Sequence, residues 1–132
     1  MSLKIGHIGI AVGNIESALD QLCRTLALDK PTVKTVSDRN MKVAVLDLGP
    51  MSLELFEDSS DDGSLAEPVK DRGSFIHHLS LLTNDIDMEI DKLKDKGVKM
   101  VDDKAYVGLR GKRIAFVESG ILDDISFELT EP

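Results

Sequence analysis

The chain has 132 residues, 42 % hydrophobic and 30 % charged, an ordinary make-up for one folded soluble domain with its own core. A net charge of −8 argues against nucleic acid and anionic membranes as partners, and no apolar run approaches the length needed to span a bilayer. The single cysteine, Cys23, cannot form an internal disulfide. With no signal-peptide pattern at its start, the chain is expected in the cytoplasm.

Residues 5–12 alternate between apolar and small or polar side chains and predict a strand. Asn14 is a good helix cap, and Ile15, Ala18, Leu19, Leu22 and Leu26 then fall on one helical face. Pro31 closes that element. Three strands are predicted near 32–37, 42–48 and 51–57. The acidic and small residues that follow read as a connector over 58–74, with a short helical turn at 64–70. The pattern then starts again. Residues 76–83 predict a strand, Asp85 a cap, and Ile86, Ile90 and Leu93 a helical stripe that Gly97 stops. Strands near 98–101, 113–118 and 124–130 complete the second half.

The order βαβββ therefore occurs twice, in a module at 4–57 and another at 75–131, within a single domain at 4–132. The modules also match in detail. His7-Ile8-Gly9-Ile10-Ala11-Val12 is answered by His78-Leu79-Ser80-Leu81-Leu82-Thr83, and Ser52-Leu53-Glu54-Leu55 by Ser126-Phe127-Glu128-Leu129. The fold class is α+β with a mixed sheet.

Side chains alternate across a strand. On each of these four strands one face is apolar and must meet a helix or core. The other face carries His7, Glu54, His78 or Glu128 beside mostly small neighbours. A lone glutamate is costly to bury. Two of them in matching places, with two histidines in matching places, call for a shared compensation, and one divalent cation supplies it. Two imidazoles and two carboxylates suit Co, Ni, Mn or Zn, with positions left for water or substrate. Taken singly, a strand histidine is usually a core or surface residue; the duplication reverses that reading. His77 points to the opposite face by alternation and reads as structural. Arg110, Lys112 and Arg113 cluster around Gly111, either as a solvated turn or as a contact for an anionic group.

With these residues in place, the chain resembles the vicinal oxygen chelate (glyoxalase/bleomycin resistance/dioxygenase) superfamily, and within it methylmalonyl-CoA epimerase most. The matching stretches include His7 to Val12 with Asn14-Ile15, Leu53-Glu54-Leu55-Phe56-Glu57, His77-His78-Leu79, Gly111-Lys112-Arg113-Ile114-Ala115-Phe116 and Phe127-Glu128-Leu129. The resemblance implies two modules cupped around one metal, with His7, Glu54, His78 and Glu128 as ligands. It implies proton abstraction next to a carbonyl through an enediolate, an acyl-CoA thioester as substrate, and a homodimer. Glu128 takes the role of one base. The second base falls on Asp38, where the epimerases carry a longer glutamate, and a shortfall of about 1 Å in such a place can cost ~100-fold. Arg39 stands where they have glutamine, so Arg39 and Arg113 are the candidate anion contacts. The loop Glu118-Ser119-Gly120-Ile121 also departs from the epimerase pattern. Two other readings share the fold: a glyoxalase I-like lyase acting on a hemithioacetal, and a non-catalytic small-molecule-binding protein.

Overall fold

The computed structural model describes residues 3–60 and 66–132. Strand β1 (Lys4–Ala11) leads to helix α1 (Ile15–Leu26), then to β2 (Lys34–Val36), β3 (Met41–Leu48) and β4 (Met51–Asp58). Helix α2 (Ala66–Arg72) precedes β5 (Phe75–Leu82), helix α3 (Ile86–Asp95), β6 (Tyr106–Val107), β7 (Arg113–Phe116) and β8 (Ser126–Thr130). The order βαβββ is thus present twice. The expected turn at 64–70 corresponds to α2 from Ala66 onward, and its first two positions lie outside the described residues.

The helices begin where their caps dictate. The Asn14 side chain accepts a hydrogen bond from the Ser17 N–H at 2.9 Å, and Asp85 accepts one from the Met88 N–H at 3.0 Å. Each satisfies a donor that the first helical turn leaves open. Gly97, with φ +85°, ends the second of these helices, and the Val98 N–H returns to the Leu93 carbonyl at 3.0 Å.

The chain forms two compact units, and β1 is divided between them. One unit is Gly9–Ile76; the other joins the residues up to Ile8 to His77–Pro132. In the first, the strand order is β2-β3-β4-β1. Ile15, Leu19 and Cys23 of α1 pack on Val12, Ala44, Leu46 and Leu55. In the second, the order is β1-β5-β8-β7-β6, with β5 and β8 parallel. Ile86 and Ile90 of α3 pack there on Ala115, Val117 and Leu129. In both units the odd-numbered apolar residues of the last strand, Leu53 and Leu55 or Phe127 and Leu129, face the helix-covered core. Glu54 and Glu128 therefore point to the opposite side of their sheets.

One predicted strand is different. Residues 98–101 form only an isolated bridge, Met100 to Val117, and the strand that pairs with β7 is Tyr106–Val107. The Asp102 carboxylate accepts the Phe116 N–H at 2.7 Å. It takes the donor that a longer ladder would have used.

Candidate metal centre

Within the unit that holds the start of β1, three strands bring one side chain each to a common point. His7 comes from β1, His78 from β5 and Glu128 from β8, and each is only 4 % exposed. The parallel register sets Ser80 opposite Glu128, so His78, Ser80 and Glu128 share one sheet face. His7 Nε2 lies 3.1 Å from His78 Nε2, and the rings meet edge to face. Glu128 Oε1 is 3.5 Å from His7 Nε2, and Glu128 Oε2 is 4.0 Å from His78 Nε2. Phe116 of β7 stands against the His78 ring with centroids 5.8 Å apart.

Burial decides the charge of the imidazoles. Desolvation, helped by the nearby Arg110 guanidinium, pushes His7 down to about 4. Desolvation, helped by His77 and His7, pushes His78 down to about 3. Both rings are neutral at pH 7, which is the form a metal ion requires. Next to them the Ser80 hydroxyl is buried and has no hydrogen-bond partner among the described residues. A buried hydroxyl of that kind needs a partner, and a coordinated water or substrate oxygen provides one. Two neutral imidazoles, a buried carboxylate and an open hydroxyl fit a divalent ion of the borderline class.

The other sequence-derived residues stand as follows. Glu54 lies on β4 of the unit Gly9–Ile76, 5 % exposed, on the same strand face as Ser52 and Phe56 and across from Val45. Asp38 and Arg39 are exposed in a 3₁₀ turn, Ser37–Arg39, that Asn40 closes with φ +51°. Arg113 shares the face of Ala115, the helix-covered one, and is held by Asp87 at 2.6 Å and Glu131 at 3.6 Å.

Two residues named in the sequence for other roles stand at the site. His77 was assigned to the opposite face, yet its Nδ1 sits 2.8 Å from His78 Nδ1. Alternation fixes where a Cβ points, but adjacent rings can still meet at their edges. Arg110 belonged to the basic cluster, and its guanidinium is 3.0 Å from His7 Nδ1. The turn that displays it was legible: Gly108 and Gly111 bracket Leu109-Arg110, the Gly111 N–H returns to the Gly108 carbonyl at 3.1 Å, and Gly111 has φ +77°.

Comparison with known proteins gives a consistent answer. The model of the Glyoxalase/Bleomycin resistance protein/Dioxygenase superfamily matches residues 6–116. The uncharacterized protein YqjC of Bacillus subtilis is 30 % identical, over 98 % of this chain and 92 % of its own length. A hypothetical protein from Bacillus halodurans, solved by crystallography, is 30 % identical with a TM-score of 0.89, covering 100 % of this chain and 96 % of that one. A variant of Streptomyces coelicolor methylmalonyl-CoA epimerase, in complex with 2-nitronate-propionyl-CoA, is 25 % identical with a TM-score of 0.85, covering 98 % and 95 %.

Proposed function

The chain belongs to the Glyoxalase/Bleomycin resistance protein/Dioxygenase superfamily, and on that footing we propose that it is a metal-dependent epimerase of a 2-substituted malonyl thioester of the methylmalonyl-CoA type. The observation that carries the proposal is the buried group His7, His78 and Glu128, whose imidazoles are neutral at working pH. The similarity to an epimerase that binds an acyl-CoA analogue supports the substrate class.

In this reading the ligands are His7, Glu54, His78 and Glu128. Glu54 joins the set because it is the counterpart of Glu128 in the other module and is likewise a buried strand carboxylate. When bound, a divalent ion supplies Lewis-acid stabilisation of the negative charge that develops on a substrate oxygen. The chain does the rest. Glu128 takes the proton from the carbon next to the carbonyl, and Asp38 serves the opposite face of that carbon. Ser80 gives its hydroxyl to an oxygen at the site. Arg39 meets a negative group of the substrate; Arg113 can join it only by leaving Asp87 and Glu131.

The test is proton exchange. Methylmalonyl-CoA incubated in deuterated water with the cobalt-loaded protein should take up deuterium at its acidic carbon. Glu128→Gln should slow that uptake by at least about 100-fold, the usual contribution of a positioned base. Asp38→Asn should suppress racemisation more than exchange from a single enantiomer. Absence of exchange at every cobalt, zinc, nickel or manganese loading would remove the epimerase reading.

A further inference from the structure

Arg110 contacts the far nitrogen of a proposed ligand, and it is the wrong kind of group for that position. A metal-bound histidine ordinarily gives its second N–H to an acceptor. A guanidinium has five donors and no acceptor. At 3.0 Å from Arg110, His7 Nδ1 must carry a lone pair and no hydrogen. The His7 hydrogen is then on Nε2.

That assignment propagates. His7 Nε2 and His78 Nε2 are 3.1 Å apart. Two N–H groups cannot face each other at that distance, so His78 Nε2 is bare and accepts. The His78 hydrogen therefore sits on Nδ1. His78 Nδ1 and His77 Nδ1 are 2.8 Å apart. His77 Nδ1 must accept, and His77 holds its hydrogen on Nε2. One donor-only side chain orders three neutral rings in sequence: Arg110, His7, His78, His77.

The order treats the two proposed ligands differently. His78 already presents a bare Nε2 and is oriented by His77. His7 presents Nε2–H, which cannot ligate. To bind an ion, His7 must move its hydrogen from Nε2 to Nδ1, where it would collide with the guanidinium. We propose that Arg110 is a positioning residue that holds His7 in the tautomer unable to bind metal, and that loading of the site requires Arg110 to release His7 Nδ1. The proposal rests on the metal-binding reading of His7 and His78, and it makes Arg110 an internal competitor of the ion.

The chain has three histidines in all, so histidine-selective ¹⁵N labelling with long-range ¹H–¹⁵N correlation can assign every ring. In the EDTA-dialysed protein His7 and His77 should appear as Nε2–H and His78 as Nδ1–H. Addition of zinc should convert His7 to Nδ1–H and leave His78 unchanged. Arg110→Met should release His7 from the fixed tautomer in the metal-free protein and tighten zinc binding on the order of tenfold or more, since a hydrogen bond to a charged group no longer opposes it. Arg110→Lys keeps the charge without the guanidinium fork: release of His7 with tighter zinc binding supports the proposal, whereas unchanged zinc affinity with His7 already Nδ1–H would assign the effect to charge alone and overturn it. Finding His7 as Nδ1–H in the metal-free wild type, or weaker zinc binding in Arg110→Met, overturns the proposal. If the metal-free tautomers are as stated and zinc fails to bind, the ordering by Arg110 stands and the metal reading falls.

Discussion

His7 and His78 are buried as neutral rings, so acid acts against the fold through them. In the unfolded chain each imidazole takes up a proton near pH 6.5. In the folded chain burial delays this to about 4 for His7 and about 3 for His78. Across that interval the unfolded chain holds more protons, so stability rises with pH. The contribution is complete above pH 6.5 and is lost as pH falls, levelling near pH 4 for His7 and near pH 3 for His78. Between pH 7 and pH 5 each ring should cost roughly 2 kcal/mol. Urea denaturation of EDTA-dialysed protein at pH 7, 6 and 5 measures this, and His7→Gln should lose its share of the slope. A stability that is flat over this range would mean that these rings are not buried as neutral groups.

At the scale of elements the two halves use the same devices. Asn14 and Asp85 each cap a helix through one side-chain oxygen. Asn14→Ala should cost about 1 kcal/mol in denaturant unfolding, and Asp85→Ala a similar amount. Gly111 holds φ +77° in the turn that carries Arg110, where any side chain is strained. Gly111→Ala should cost about 1–2 kcal/mol and should shift the tautomer signal of His7 through the displaced turn. These elements were legible because caps, stripes and left-handed glycines are local. His7, Glu54, His78 and Glu128 could be named as candidates because they recur in order in both halves, and the strands of one unit bring His7, His78 and Glu128 together. Other features were not legible, for definite reasons. The strand expected at 98–101 is a bridge because the Asp102 carboxylate takes a ladder donor, an interaction across the sheet that no local pattern carries. Arg110 and Arg113 are three residues apart, and only the pairing of Ala115 with Leu129 shows that Arg113 faces α3. His77 looked outward by alternation, yet its ring edge reaches His78.

At the scale of the whole chain, metal binding and folding are coupled. The unfolded chain has no preformed site, so an ion that binds the folded form alone raises stability by RT ln(1 + [ion]/Kd), about 2.7 kcal/mol at a hundredfold excess over Kd. For a chain of 132 residues this corresponds to a rise in melting temperature on the order of 10 °C. The net charge of −8 offers a second way for cations to stabilise, because screening relieves repulsion among carboxylates. The two differ in form. Screening follows ionic strength, continues without saturation, and does not distinguish magnesium from zinc or cobalt. Occupation of a site with two imidazoles saturates and favours the borderline ions. Thermal melts of EDTA-treated protein with zinc, cobalt or magnesium at equal concentration should therefore show a saturating rise for the first two and little for the third. His78→Ala should abolish the zinc and cobalt rise and keep the small magnesium response. Equal shifts with all three ions, unaltered in His78→Ala, would assign the stabilisation to screening and leave the His7, His78 and Glu128 group without an ion to hold.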